Sequence, residues 1–289
     1  MLPSAFDYHR PTTVEEAFDL LDSLGPDAKV LAGGQSLVPL MKLRFAAPGH
    51  LIDINRLGGL DTIEEAGDEL HIGALVRHNA LAANDQIRAK YPTLAAAAPQ
   101  IADPLVRNLG TIGGSLTHCD PSGDLGAVML ASDARVTLRR KGGERDLPVT
   151  EFLADTFQSS IEPNELLTTV KVPAPKRFHG GAYLKLERKI GDYATVAVAT
   201  RLQMANGAIG SAGIGLTSVG LTNIKATAAE DALVGQEPSD ELFAEAGRLA
   251  AAGSSPVGDV RGSADYKRHI VEVYVRRGLA RSAEMATDD

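Results

Sequence analysis

The chain of 289 residues contains one cysteine and no tryptophan, and only 4% of it is aromatic. A lone thiol forms no disulfide, and iron–sulfur clusters and structural zinc sites ordinarily take several thiolates, so Cys119 supports none of these by itself. Redox work in this chain therefore needs an organic cofactor. Basic charge is also scarce: 29 Lys and Arg against 37 Asp and Glu give a formal net charge of −8, which argues against a nucleic-acid surface. No run of about 18 apolar residues occurs, and the N-terminal stretch MLPSAFDYHRPTTVEEAFDLL lacks the uninterrupted apolar core of a signal peptide. The expectation is a cytoplasmic protein without a transmembrane segment. Several enzyme signatures are missing as well, namely G-x-x-x-x-G-K-[ST], H-E-x-x-H, G-x-S-x-G and C-x-x-C. The 7 histidines show no metal-ligand spacing, so no metal site is expected.

What is present is a soluble composition, 44% hydrophobic with 29 Gly and 15 Pro, and enough length for one to three domains. Thr13 and Glu16 form a candidate capping box ahead of an amphipathic helix carrying Ala17, Leu20, Leu21 and Leu24. Short apolar strands at 29–32 and 51–54 complete a small βαβ-like unit. From Leu57 onward the texture is α+β. It holds a strand at 69–73, an Ala-rich helix at 94–102, a helix at 125–131, a hairpin at 135–149 around Lys141-Gly142-Gly143, and a strand at 166–172. Val172-Pro173-Ala174-Pro175 is the best linker candidate, because two prolines interrupt both helix and central strand. Strands at 182–188, 193–204 and 208–218 follow, the last two joined by Asn206-Gly207, and helices at 225–234, 240–252 and 264–283 close the chain. These patterns divide it into 1–56, 57–175 and 176–289.

Two glycine-rich stretches stand out, Ala32-Gly33-Gly34-Gln35-Ser36 and Thr111-Ile112-Gly113-Gly114-Ser115, about 80 residues apart. Adjacent glycines allow positive φ, turn successive N–H groups toward one point and let a ligand approach closely. Such nests bind phosphate oxygens, and Ser36, Thr111 and Ser115 add hydroxyls. Either stretch alone also reads as an ordinary turn. The nearest thing to a dinucleotide fingerprint, Gly213-Ile214-Gly215, lacks the third glycine and lies late in a strand, which disfavours a conventional NAD site.

The two stretches occur with Asp103-Pro104-Leu105-Val106-Arg107-Asn108 before the second and Asp120-Pro121-Ser122-Gly123-Asp124-Leu125 after it. Further on stand Arg188-Lys189-Ile190-Gly191-Asp192-Tyr193-Ala194-Thr195 and Asp259-Val260-Arg261-Gly262. In this combination, over essentially its whole length, the chain resembles the FAD-binding medium subunits of molybdenum hydroxylases, the xanthine dehydrogenase and carbon monoxide dehydrogenase group. The resemblance implies an α+β protein, with a two-subdomain FAD-binding fold of the PCMH type plus a C-terminal domain of a three-stranded antiparallel sheet and a helix bundle. It implies that the backbones of Ala32, Gly33, Gly34, Gln35 and Ser36, and of Thr111, Ile112, Gly113, Gly114 and Ser115, cradle the FAD pyrophosphate. By the same similarity Asp124 accepts hydrogen bonds from flavin hydroxyls and Leu167 contacts the nucleotide. Lys185 lies near the pyrimidine edge of the ring, where a cation stabilises reduced flavin, and Tyr193 lies against the ring.

Read from the residues alone, each has a plainer role: Asp124 a helix cap, Lys185 a solvated strand lysine, Tyr193 a core or rim aromatic. His78 and His118 flank the glycine-rich regions, and His118 is the better candidate to touch cofactor. Cys119 reads as a small buried residue rather than a redox thiol.

The function implied is that of an FAD-carrying electron-transfer subunit of a heterotrimeric molybdenum hydroxylase. Its partners would be a large molybdopterin-binding subunit and a small 2Fe-2S subunit, as a dimer of heterotrimers passing electrons to an external acceptor. Carbon monoxide is the favoured substrate of the complex. Gln35, at a place where several carbon monoxide dehydrogenase flavoproteins carry His, keeps aldehyde and N-heterocycle hydroxylation open. Two other classes are a self-contained FAD reductase, disfavoured by the lack of a second nucleotide motif, and a non-enzymatic nucleotide-binding module.

Overall fold

The computed structural model describes residues 2–287. Three sheets organise it. The first is all parallel, with Asp7–His9 and Ala28–Leu31 flanking His50–Asp53. Its helix Val14–Leu24 begins at the anticipated capping box: Thr13 Oγ1 accepts from the Glu16 N–H at 3.2 Å, and Glu16 Oε2 accepts from the Thr13 N–H at 3.4 Å. Ala17, Phe18 and Leu21 face inward from it and join Ile52, Ile54, Leu57, Leu60, Leu75 and Leu166 in one cluster. The strand Asp7–His9 carries no apolar alternation, since Asp, Tyr and His are all at least partly exposed. Only its parallel pairing with the distant His50–Asp53 makes it a strand.

The second sheet is antiparallel, in the order Ile63–Ala66, Glu69–Gly73, Leu166–Pro173, Arg135–Arg140, Gly143–Pro148. Leu166–Pro173 is central, and Pro173 still pairs with Glu69 at its end, where a missing N–H costs nothing. The ladder therefore runs two residues, Val172 and Pro173, into the expected linker, and the Ala174 N–H donates to Asp68 O at 2.8 Å. The expected helix at 94–102 is instead the end of Pro92–Ala97 followed by a single tight turn Ala98–Gln100, with a separate helix Asp85–Lys90 before it. Pro99 is the reason for the break, because it starts a turn it cannot continue from the preceding one.

The third sheet places His179–Leu186, Val196–Ala205 and Ala208–Thr217 in antiparallel order, as expected, and adds the two-residue edge strand Ile224–Lys225. Asn206 and Gly207 both have positive φ, 55° and 82°, as a two-residue hairpin with right-handed strand twist requires. Strand Val196–Ala205 is buried on both faces. Val196, Val198 and Leu202 join the cluster formed with the helices Asp240–Ala252 and Ala264–Thr287, whereas Ala197 and Ala199 join the central cluster with Leu125, Val128 and Met129. A residue period of two thus joins the third sheet to both neighbouring layers.

Helix Asp124–Ala131 lies in that junction with all of its residues buried. It approaches strand Ala208–Thr217 so closely that a Cβ on Gly213 or Gly215 would come within 1.9 Å of Ala131 O or Ala127 O. That contact explains the Gly213-Ile214-Gly215 pattern: the glycines admit a helix backbone, not a dinucleotide. The same packing fixes the first residue of the helix, Asp124, beneath the third sheet.

Candidate functional site

The two glycine-rich stretches meet at the junction of the first and second sheets. A Cβ on Gly33 would fall 2.3 Å from Leu109 O, and one on Gly114 would stand 3.7 Å from Ala32 Cβ. Their internal hydrogen bonding differs. The first leaves strand Ala28–Leu31 and turns at Gly34, φ 71°, into helix Leu37–Lys42. Among the described residues the N–H groups of Gly33, Gly34, Gln35 and Ser36 have no acceptor, and Ser36 makes no side-chain cap bond. Gln35 Nε2 folds back on Gly33 O at 3.3 Å.

The second stretch is the first turn of helix Ile112–His118, with Thr111 as its N-cap. Its donors are already engaged: Ile112 N–H to Val76 O at 3.0 Å, Gly113 N–H to Ala74 O at 2.9 Å, Ser115 N–H to Thr111 O at 3.0 Å. The Gly114 N–H donates to Thr111 Oγ1 at 3.1 Å. Thr111, Ile112 and Gly113 are buried, whereas Gly114 and Ser115 remain partly exposed. Seen from the sequence both stretches look like nests; in the fold only the first presents open backbone donors, and the second offers a glycine surface and the Ser115 hydroxyl.

Behind them lies a buried polar group. Asp124 follows the N-cap Gly123 and does not cap the helix. Its Oδ1 accepts from Tyr183 Oη at 2.5 Å and its Oδ2 from Lys185 Nζ at 3.1 Å. Lys185 also donates to Gln100 O at 3.0 Å, and its side chain is 1% exposed. Glu187 Oε2 stands 3.6 Å from the same ammonium and is buried without a hydrogen bond. Burial raises the Asp124 carboxyl above its ordinary range, although Lys185 and Tyr183 pull the other way. The Tyr183 phenol is pushed well up by its burial and by Asp124. Residues 183, 185 and 187 share one face of their segment by strict alternation. Tyr183 and Glu187 carry no motif, and that alternation around Lys185 is the one signal in the sequence that points to them.

The remaining expected residues are placed as follows. Tyr193 is 52% exposed, and partial burial together with the Asp120 carboxylate raises its phenol. Leu167 is buried in the central cluster beside an irregularity in the ladder. Thr168 O accepts from Ala74 N–H at 2.9 Å, and Ala74 in turn holds Gly113, so Leu167 lies close behind the second stretch with its side chain turned to the core. His118 ends the helix that Thr111 begins, and its ring tilts against Phe157 at 5.1 Å. Cys119, in a left-handed C-cap conformation with φ 52°, is buried and its thiol is pushed up to about 11, the inert state of a structural cysteine. No group of three or more metal-binding side chains occurs among the described residues.

Residues 4–175 match the family described as the FAD binding domain in molybdopterin dehydrogenase. The chain belongs to this family. Residues 181–282 match the CO dehydrogenase flavoprotein C-terminal domain. The carbon monoxide dehydrogenase medium chain of Afipia carboxidovorans is 41% identical over 286 residues, 99% of each chain. The 6-hydroxypseudooxynicotine dehydrogenase complex subunit alpha of Paenarthrobacter nicotinovorans is 41% identical, covering 99% of this chain and 97% of that one. The solved Hydrogenophaga pseudoflava carbon monoxide dehydrogenase lacking the Mo-pyranopterin moiety of its cofactor has a chain that superimposes with a TM-score of 0.96 at 43% identity, over 99% of both chains.

FAD is thus the cofactor of this chain, and the residues present fit it. The open N–H groups of Gly33 to Ser36 suit phosphate oxygens. The missing Cβ atoms serve close packing: one on Gly33 would meet Leu109 O at 2.3 Å and one on Gly114 would meet Thr111 Oγ1 at 2.8 Å, so the glycines let the two stretches approach each other. When bound, FAD supplies the electron-transfer chemistry that no side chain of this chain has.

Proposed function

We propose that the chain binds the FAD pyrophosphate between its two glycine-rich stretches, with the N–H groups of Gly33, Gly34, Gln35 and Ser36 as the principal donors. Gly114 and the Ser115 hydroxyl form the opposite wall. The observation that carries this reading is the row of N–H groups without acceptors, since buried or half-buried backbone donors are otherwise nearly always paired. Lys185 and Asp124 hold the ribityl and ring end, Lys185 as the cation favouring added negative charge, and Tyr193 covers the ring. Leu167 closes the floor of the site, and His118 contributes at its far margin.

The chain would act as the medium subunit of a molybdenum hydroxylase, with a large molybdopterin-binding partner, a small 2Fe-2S partner and an external acceptor, as a dimer of heterotrimers in the cytoplasm. Identity to carbon monoxide dehydrogenase medium chains along the whole length favours carbon monoxide as the substrate of the complex. An N-heterocycle-derived substrate is the second reading, on the equal 41% identity of the Paenarthrobacter subunit. The three units are 1–56, 57–175 and 176–289, supported by a separate sheet of three or more strands in each.

Two measurements test this. Ser36→Ala and Ser115→Ala remove hydroxyls with no hydrogen-bond partner among the described residues, so each should weaken FAD binding about tenfold while Tm stays within about 1 °C of the parent. Unchanged affinity in both would overturn the placement of the pyrophosphate. Dye reduction by the co-purified complex with carbon monoxide, compared with aldehyde and N-heterocycle panels, decides the substrate; no response to carbon monoxide in a molybdenum-replete preparation would remove the favoured one.

A further inference from the structure

The carbonyl that enters the first glycine-rich stretch and the carbonyl that precedes the second are tied through two side chains. Asn55 Nδ2 donates to Ala32 O at 2.8 Å, and Arg77 Nη2 donates to Asn55 Oδ1 at 2.6 Å. Arg77 Nη1 donates to Leu109 O. Asn55 is itself fixed: its Nδ2 and its backbone N–H donate to Asp53 Oδ1 at 2.6 and 2.9 Å, and Tyr8 Oη donates to Asp53 Oδ2. The backbone of Arg77 bridges Thr111 in antiparallel fashion. One end of the relay is thus anchored in the first sheet and the other in the turn that starts helix Ile112–His118.

We propose that Arg77 and Asn55 are positioning residues that set the separation of the two glycine-rich stretches and thereby the affinity for FAD. The inference rests on the placement of the pyrophosphate given above. The chemistry of each residue suits the task. The planar guanidinium carries two Nη donors at fixed separation and so holds two acceptors on different units in a set geometry, whereas the three donors of a lysine ammonium rotate about one nitrogen. The Asn55 amide accepts from Arg77 through its oxygen and donates to Ala32 O through its nitrogen at once. Each side chain donates to one backbone carbonyl beside a stretch, Asn55 to Ala32 O and Arg77 to Leu109 O. Gly33 packs on Leu109 without a Cβ, so a shift of Leu109 O is passed directly to the row of open N–H groups.

The test uses the full-length chain in the complex with which it co-purifies, stripped of FAD and titrated back by flavin fluorescence, with Tm recorded for every variant. Arg77→Met and Asn55→Ala should each raise the FAD Kd about tenfold or more, and the double variant should raise it no further than the stronger single one, because both interrupt one relay. Arg77→Lys should recover only part of the loss. Arg201→Met is the control: it removes bonds to Ala131 O at 3.1 Å and Asp133 at 2.7 Å, away from the stretches, and should lower Tm comparably with Kd unchanged. If Arg77→Met does not fold, Arg77→Lys is read in its place by the same criterion. Losses that add in the double variant, or a Kd within twofold of the parent, would overturn the inference. Should Ser36→Ala weaken binding while Arg77→Met does not, the inference alone fails; should neither weaken it, the placement of the pyrophosphate fails too.

Discussion

Lys185 Nζ lies 3.1 Å from Asp124 Oδ2, an ion pair with side-chain exposures of 1% and 8% between a strand of the third sheet and the first residue of a fully buried helix. A charge removed from water this far is tolerated only with a partner and further hydrogen bonds. Tyr183 and Gln100 O supply those. The pair therefore joins stability to the site: the same contacts that make it tolerable hold the two charges where the flavin end is proposed to lie.

Lys185→Met should cost about 3–5 kcal/mol in urea unfolding at pH 7, the range for leaving one partner of a buried pair uncompensated. Lys185→Met combined with Asp124→Asn should recover most of it. The pH dependence carries a sign. The Asp124 carboxyl is raised in the folded chain, so the folded state holds the proton more tightly than the unfolded one and gains relative stability as pH falls toward the ordinary carboxylate range. Without Lys185 that rise is larger. The deficit of Lys185→Met should shrink between pH 7 and pH 5, and a deficit that grows on acidification would contradict the assignment.

His78 should make the chain acid-sensitive. Burial and the neighbouring Arg107 and Arg77 push its imidazole down to about 4 from an ordinary 6.5, and its Nδ1 has no partner. The unfolded chain takes up the proton first, so stability is complete above the ordinary value and is lost as pH falls through 6.5 toward 4. The loss from this group is on the order of 3 kcal/mol. Denaturation of His78→Gln across pH 4 to 7 should show that slope reduced; an identical slope would assign the acid sensitivity elsewhere.

Gly215→Ala should separate the third sheet from the helix that carries Asp124. Its Cβ would meet Ala127 O at 1.9 Å, a backbone atom with no freedom to yield. A loss above about 3 kcal/mol is expected, in the upper range for overpacking a core. Gly142→Ala gives the contrast, because nothing lies within 4 Å of its Cβ and only its φ of 77° is unfavourable, a cost of about 1 kcal/mol.

Tyr193→Ala should leave stability within about 0.5 kcal/mol of the parent, as for an exposed position, since the ring is 52% exposed. If the ring covers the flavin, the absorbance and fluorescence of the bound cofactor will change in the same variant. A spectrum identical to that of the parent would take Tyr193 out of the site.

Much of the local architecture was readable from spacing. The Thr13 and Glu16 cap, the Asn206-Gly207 hairpin, the helix after Asp124 and the alternation on the third sheet are set by residues within a few positions of one another. Strand Asp7–His9 was not readable, because its three polar residues become a strand only by pairing with His50–Asp53. The edge strand Ile224–Lys225 is of the same kind. The Ala-rich segment was read as one helix because composition outweighed Pro99.

The glycine pairs, the single cysteine and the family motifs were enough to establish an organic cofactor and its class, since those features depend on residue type and order alone. They left open which of the two stretches keeps free donors. That depends on Val76 and Ala74, whose carbonyls take up the N–H groups of Ile112 and Gly113, and on Thr111, which takes that of Gly114. The joining of Asp124 to Tyr183 and Lys185, and of Ala32 to Leu109 through Asn55 and Arg77, likewise depends on contacts between segments far apart in the chain. Hydrogen bonds of that kind have no sequence period, and they exist only once the helix Asp124–Ala131 and the three sheets have packed.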